Sequence, residues 1–217
     1  MPEALTEQKV TEFRQKVCEV ALRQFSELGT ERVSMRSLAR AMGYSATALY
    51  SYYKNKDDIL AAVRTIHVDK LATDLEQALS NATPEEQSRA FIGAYVAFVS
   101  AEPTACKLAF ALEQPAPTDY PALAGALSRL DRTFTRLSQA VSGTPLSQPQ
   151  AEQQGQLLWA AFHGVMALHL AGIATRSQKE AHSLHSQLLE SLSKMTESGQ
   201  EAAESAKKRV EQMALDL

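Results

Sequence analysis

Cysteine is almost missing from this chain: Cys18 and Cys106 are the only two in 217 residues, far apart and outside any CxxC or His-rich spacing. That excludes a disulfide framework and fits the usage of a reducing cytosol, so a cytoplasmic location is expected. No apolar run approaches the roughly 20 residues that cross a bilayer, and no membrane association is expected. The opening MPEALTEQKV has acids and no hydrophobic block, unlike a secretory leader, so Asn81-Ala82-Thr83 reads as a helix start and not a glycosylation site. Strand-like alternation is absent and β-branched runs are scarce, which leaves little from which to build a sheet. Catalytic sets are missing as well. Gly43-Tyr44-Ser45-Ala46-Thr47 lacks the second glycine and the preceding strand of a nucleophile elbow. His182 and His185 stand three apart without a third ligand, and read as a solvated helix face. Neither an enzyme nor a metal or cofactor site is expected.

Acid is missing from one segment in particular. Net charge is −3, yet residues 1–56 hold nine Lys/Arg against six Asp/Glu, and the remainder thirteen against nineteen. From Arg32 to Lys56 there are five basic residues and no acid. A basic head on an acidic body is the charge layout of a nucleic-acid module joined to something else.

What is present is helix, about nine of them. Val10, Val17, Ala21 and Leu28 share one face of a helix from about Glu7 to Leu28, which Gly29 stops. Ser34 caps Met35–Met42, and Ser45 caps a helix from Ala46 to about Tyr52. Asn55 caps the next, with Asp57 and Asp58 in its first turn, where carboxylates suit the helix dipole. Thr83-Pro84-Glu85-Glu86 has a cap, a proline at the first position and a glutamate three residues after the cap. A short helix, Thr104–Leu112, and a loop, Glu113–Thr118, precede a seam of Leu123, Leu127, Leu130, Phe134, Leu137 and Val141. Pro149 opens a helix to about Thr175, and another runs from Ser177 to Thr196. Residues 199–217 space their apolar side chains by threes and fours, and form either a further amphipathic helix or a frayed tail.

The densest pattern is residues 33–56, VSMRSLARAMGYSATALYSYYKNK. Two short helices joined by a glycine-containing turn make a helix-turn-helix. Leu38, Ala39 and Met42 face inward from the first, Leu49 and Tyr53 from the second, and Val33 seals the entry. Ser45, Thr47, Ala48, Tyr50, Ser51 and Tyr52 are left facing out, short or flat side chains that can donate to phosphates or touch a thymine methyl. Tyr50, Tyr52 and Lys56 in particular sit in acid-free surroundings that suit DNA.

Ala21, Phe25 and Gly29, then Val33-Ser34, Leu38-Ala39, Ala41, Gly43, Ser45, Ala48-Leu49-Tyr50, Tyr53, Lys56 and Leu60, resemble the N-terminal domain of TetR-family regulators over roughly residues 10–62. The resemblance implies an all-α homodimeric repressor, with a three-helix helix-turn-helix domain over 1–55 and a larger helical bundle over 56–217 for ligand binding and dimerisation. On this reading Ser34, Arg36, Ser45, Ala46, Thr47, Tyr50, Tyr52, Lys54 and Lys56 contact an inverted-repeat operator in double-stranded DNA. A TetR-type activator and an architectural DNA-binding protein without effector are the alternatives. Gln156 to Gly164 is similar to a Trp-x3-His-Gly element found in a subset of the family's C-terminal domains. Phe91, Tyr95, Phe98, Phe110, Trp159, Phe162, His163 and Met166 are the expected walls of a pocket for a small apolar or amphipathic effector. The small residues Gly155, Ala160, Ala161, Gly164, Ala167, Ala171 and Gly172 allow another helix to come close, so a dimer interface is expected at Gly164, Ala167, Ala171, Leu184 and Leu188.

Overall fold

The computed structural model describes residues 7–110, 116–175 and 177–191, and among them are nine α-helices, two short 3-10 turns and no strand. The helices are α1 (Glu7–Leu28), α2 (Met35–Met42), α3 (Ala46–Tyr50), α4 (Lys56–Asn81), α5 (Gln87–Ala101), α6 (Pro103–Ala109), α7 (Pro121–Val141), α8 (Gln148–Leu170) and α9 (178–191). The all-α expectation holds. The expected end at Thr196, part of the 113–118 loop and the 199–217 segment lie outside the described residues.

Several boundaries differ from the sequence reading: α6 runs Pro103–Ala109 and is closed by Phe110, where Thr104–Leu112 is expected. Helix α3 ends at Tyr50, and Ser51-Tyr52 continue as a turn, with Tyr52 and Tyr53 both donating their N–H to Leu49 O at 3.1 Å. Thr83 and Glu86 do bond, the threonine N–H and Oγ1 both donating to Glu86 Oε2 at 3.4 and 3.1 Å, but a turn separates them from the regular helix that begins at Gln87. Helix α8 stops at Leu170, short of Thr175. Gly172 takes a left-handed φ of 67°, donating to His169 O at 2.9 Å while Ile173 donates to Leu168 O at 3.0 Å. That is a glycine-closed C-terminus, where Gly172 supplies a conformation other residues reach only with strain.

The chain divides into two compact units, one through Ala72 with Ala101–Leu130, the other Thr73–Ser100 with residues from Asp131 onward. This is a different cut from residue 56. Ile59, Leu60 and Val63 of α4 are buried in one cluster with Val17, Ala21, Phe25, Leu38 and Leu49, and Leu108 of α6 packs on it. In the second unit Phe91, Tyr95, Phe134, Leu158 and Phe162 are almost wholly buried. Helices α7 and α8 meet there at Gly155, and Ser138 Oγ donates to Ala151 O across the contact at 2.8 Å.

Candidate nucleic-acid interface

The helix-turn-helix is built from its caps inward. Ser34 and Ser37 form a reciprocal capping box at the start of α2, with side chain-to-backbone distances of 3.1 and 2.9 Å. Gly43, at φ 76°, closes α2, donating to Arg40 O at 3.1 Å while Tyr44 donates to Ala39 O at 2.9 Å. Ser45 Oγ accepts the Ala48 N–H at 3.2 Å and starts α3. Asn55 Oδ1 accepts the Asp58 N–H at the start of α4, and Asp58 Oδ2 accepts the Lys54 N–H, both at 2.8 Å. Val33, Leu38, Ala39, Met42, Leu49 and Tyr53 are all buried, as their pattern requires. Beneath them the Tyr53 hydroxyl meets Cys18 Sγ at 3.6 Å, and burial pushes both groups above their usual pKa.

What remains outside is the candidate reading surface. Thr47, Tyr50 and Ser51 are exposed on α3 and its last turn, Tyr50 at 54 %, an unusual amount of bare ring. Arg36 and Lys54 are also exposed. Ser34 and Ser45 are exposed too, with their oxygens engaged as caps. Ala46 and Tyr52 are half-buried against the core, and the Tyr52 ring lies 4.5 Å from that of Phe13. Lys56 is half-buried and donates through Nζ to Thr30 O at 2.8 Å, which ties the start of α4 to the segment after α1. A groove of about 410 Å³ lies beside α3, lined by Lys9, Glu12, Phe13, Lys16, Tyr44, Ala48 and Tyr52. Of these, Lys9, Lys16 and Tyr44 formed no part of the sequence expectation. The available signal was an exposed aromatic between the turn glycine and the cap of α3.

The candidate pocket residues occupy the second unit, except Phe110, which ends α6 in the first. Four of those in the second unit, Phe91, Tyr95, Trp159 and Phe162, are packed ring against ring with Phe134. Phe91 is 5.1 Å from Phe134 and 5.7 Å from Phe162, Tyr95 is 5.2 Å from Phe162, and Trp159 stacks on Phe134 at 6.0 Å. Phe98 and Met166 are buried, and His163 is half-buried. A cavity of only about 10 Å³, lined by Tyr95, Val96, Val99, Met166, His169, Ala181 and His185, adjoins them, roughly the space of one water.

His185 corrects the sequence reading: it is 1 % exposed and not on a solvated face. Its Nδ1 is 2.7 Å from Ala181 O and its Nε2 3.3 Å from Phe162 O, and a neutral ring can donate to one of them at a time. Burial pushes its pKa down, partly opposed by the two carbonyls, and burial also lowers that of His163. A histidine whose folded pKa is depressed contributes stability in full above the unfolded value, near 6.5. That contribution is lost as pH falls through 6.5 toward the folded value, because the unfolded chain then binds the extra proton. The free energy of unfolding should therefore fall as pH drops below about 6.5, at up to about 1.4 kcal/mol per pH unit for each histidine. Denaturation of His185→Gln should show a shallower pH slope than the parent. An unchanged slope would remove His185 from the account.

Leu157 (57 % exposed), Ala160, Gly164, Ala167 and Leu168 of α8 and its C-cap Ala171 form an exposed apolar stripe, while Leu184 and Leu188 of α9 are half-buried. Gly155 is not on that stripe. It faces α7 within its own protomer, where a Cβ would lie 2.7 Å from Thr135 N. Among the described residues no group of His, Cys, Asp and Glu could hold a metal ion, and no helix is long and apolar enough to cross a membrane.

A capped three-helix head with a basic, aromatic outer face, carried on an all-helical body, defines a helix-turn-helix regulator. Residues 17–63 match the model of bacterial regulatory proteins of the tetR family, and residues 88–192 match the tetracyclin repressor-like C-terminal domain. The chain belongs to the TetR family of transcriptional regulators, a class of DNA-binding proteins and not of enzymes. The HTH-type transcriptional regulator AcrR of Shigella flexneri is 36% identical over 58 residues, 27% of each chain. The HTH-type regulator SAUSA300_2515 of Staphylococcus aureus is 33% identical over 66 residues, 30% of this chain and 36% of that one. The similarity thus spans about a quarter to a third of these relatives' length. Among solved structures, regulatory protein SCO4313 aligns with a TM-score of 0.68 at 20% identity, covering 87% of this chain and 98% of that one. The TetR-family regulator PfmR of Thermus thermophilus aligns at 0.63 and 20% identity, covering 80% and 97%. At these identities the structures speak for the fold alone.

Proposed function

We propose that the protein is a cytoplasmic, homodimeric repressor that reads an inverted-repeat operator and is released by a small apolar or amphipathic effector. The observation that carries the reading is the exposed Thr47–Tyr50 face of α3, set in a stretch without acids and stiffened by caps at both ends. Thr47 and Tyr50 meet base edges in the major groove, while Arg36, Lys54 and Lys56 sit against phosphates with Ser34, Ser45, Ala46 and Tyr52 shaping the contact. Two such heads spaced about 34–36 Å, or a multiple, would match operator symmetry. The exposed stripe on α8, with Leu184 and Leu188 of α9, supports dimerisation through a bundle of both protomers' long helices. The effector enters the second-unit cluster of Phe91, Tyr95, Phe98, Trp159, Phe162, His163 and Met166. Those rings must part to admit it, so binding selects a conformation with differently spaced heads.

Selection of a preferred duplex from a random pool, followed by titration over several salt concentrations, tests the DNA half of this reading. Thr47→Ala should cost about 1–3 kcal/mol on the selected duplex and much less on random DNA. Lys54→Ala should weaken both and shallow the salt dependence by about 0.9 in log–log slope. Lys56→Ala is less clean, since it also unties α4 from Thr30. Equal losses on both duplexes for Thr47→Ala would refute the assignment of base reading to α3.

A further inference from the structure

We infer that the groove between α1 and α3 is a second seat for DNA backbone, holding phosphates along one flank of the reading helix. The inference rests on the proposal that α3 enters the major groove. Lys9, Glu12, Phe13 and Lys16 recur every three or four residues and so share one face of α1. Tyr44, Ala48 and Tyr52 form the facing wall, and all three belong to the helix-turn-helix itself. At 100° per residue, Ala48 and Tyr50 lie on opposite flanks of α3 with Leu49 turned into the core between them. A helix about 10–12 Å across fills a groove about 12 Å wide, so each flank of an inserted helix faces a phosphate wall. The α1 groove is therefore continuous with the reading surface and lies toward one of those walls.

Its chemistry matches that neighbour. Phe13 holds Tyr44 edge-on at 5.1 Å and Tyr52 at 4.5 Å, a floor that fixes the direction of the Tyr44 ring. Tyr44 is nonetheless 45 % exposed, and its hydroxyl can donate to a phosphate oxygen. Lys16 Nζ lies 5.8 Å from the Tyr44 ring centroid, which steers the ammonium toward the same place. Lys9 stands two turns earlier on the same face. Glu12, which accepts from Gln8 Nε2 at 3.0 Å, is the one acid against two lysines among the described lining residues, so these carry a net positive charge. An apolar peptide or an aromatic anion is the competing occupant, and neither calls for continuity with the reading helix.

The test uses the full-length protein, the selected duplex and a random duplex of equal length. Lys9→Gln combined with Lys16→Gln should lower the log–log salt slope by about 1.8 on both duplexes, since each lost phosphate contact removes about 0.9. At 0.15 M salt that amounts to about fivefold weaker binding per lysine. Glu12→Gln should tighten binding to both duplexes, which a merely structural role for the groove would not produce. All three side chains are exposed, and unchanged thermal midpoints confirm intact folding. A parent-like slope in the double lysine variant overturns the inference, as does a Glu12→Gln variant that gains nothing. Thr47→Ala separates the two levels. If it still loses operator preference while the lysine variant is silent, the groove fails and the helix-turn-helix reading stands. If both are silent, the reading of α3 fails first.

Discussion

Gly155→Ala should destabilise the second unit by about 3 kcal/mol, at the upper end of what overpacking costs. An added Cβ would sit 2.7 Å from Thr135 N, 2.8 Å from Thr135 Cα and 3.0 Å from Phe134 C. These are backbone atoms, so no rotamer change relieves the clash, and α7 must move as a whole. Several contacts resist that movement: the Ser138–Ala151 hydrogen bond, the Phe134–Trp159 stack and the edge contact between Phe134 and Phe162. Gly93→Ala is the matched control. It too lies within a helix, but a Cβ there meets nothing within 4 Å. It should gain about 0.5–1 kcal/mol from the lower backbone entropy of alanine. Denaturant titration of the two variants reads the difference directly. Equal stabilities would mean that α7 and α8 are not in the tight contact described.

Much of this architecture is legible in the amino-acid sequence because its signals are local. Caps, glycine stops and the apolar faces of α2 and α3 need no more than a few neighbouring residues, and Ser34, Gly43 and Ser45 act as their spacing implies. Sequence reasoning fails where the deciding partner is distant along the chain. Gly155 and Gly164 look alike along α8, yet only Gly155 meets α7. His185 follows a polar pattern with His182, but Phe162 and Tyr95 cover it at 4.6 and 5.5 Å. Tyr52 faces outward by pattern, and the Phe13 ring on α1 holds it half-buried. The groove residues Lys9, Lys16 and Tyr44 come together only when α1 is laid beside the turn. The boundary expected at residue 56 differs from the cut between compact units, since no local signal marks where the first turns of α4 join the core of the head.

Gly164→Glu should convert dimers to monomers and weaken operator binding about 10²–10⁴-fold, the advantage that linking two heads ordinarily confers. Nothing lies within 4 Å of a Cβ at Gly164 and the position is exposed, so a side chain there starts out into solvent in the single protomer. Gly164 stands in the middle of the exposed row from Leu157 to Ala171, and two charges brought together at a symmetric contact would be desolvated and repel. Leu157→Glu guards the result against misfolding, since a side chain already 57 % exposed contributes little to the protomer's core. Sedimentation should find both variants at half the parent's mass, with helical circular dichroism retained. Binding to random DNA at low salt should persist in each monomer, because the single head is intact. What should vanish is the gain from a second half-site, visible as equal affinity for half-site and full-site duplexes. Variants that remain dimeric would place the interface on another surface. Variants that become monomeric yet keep full operator affinity would show that the two heads act independently.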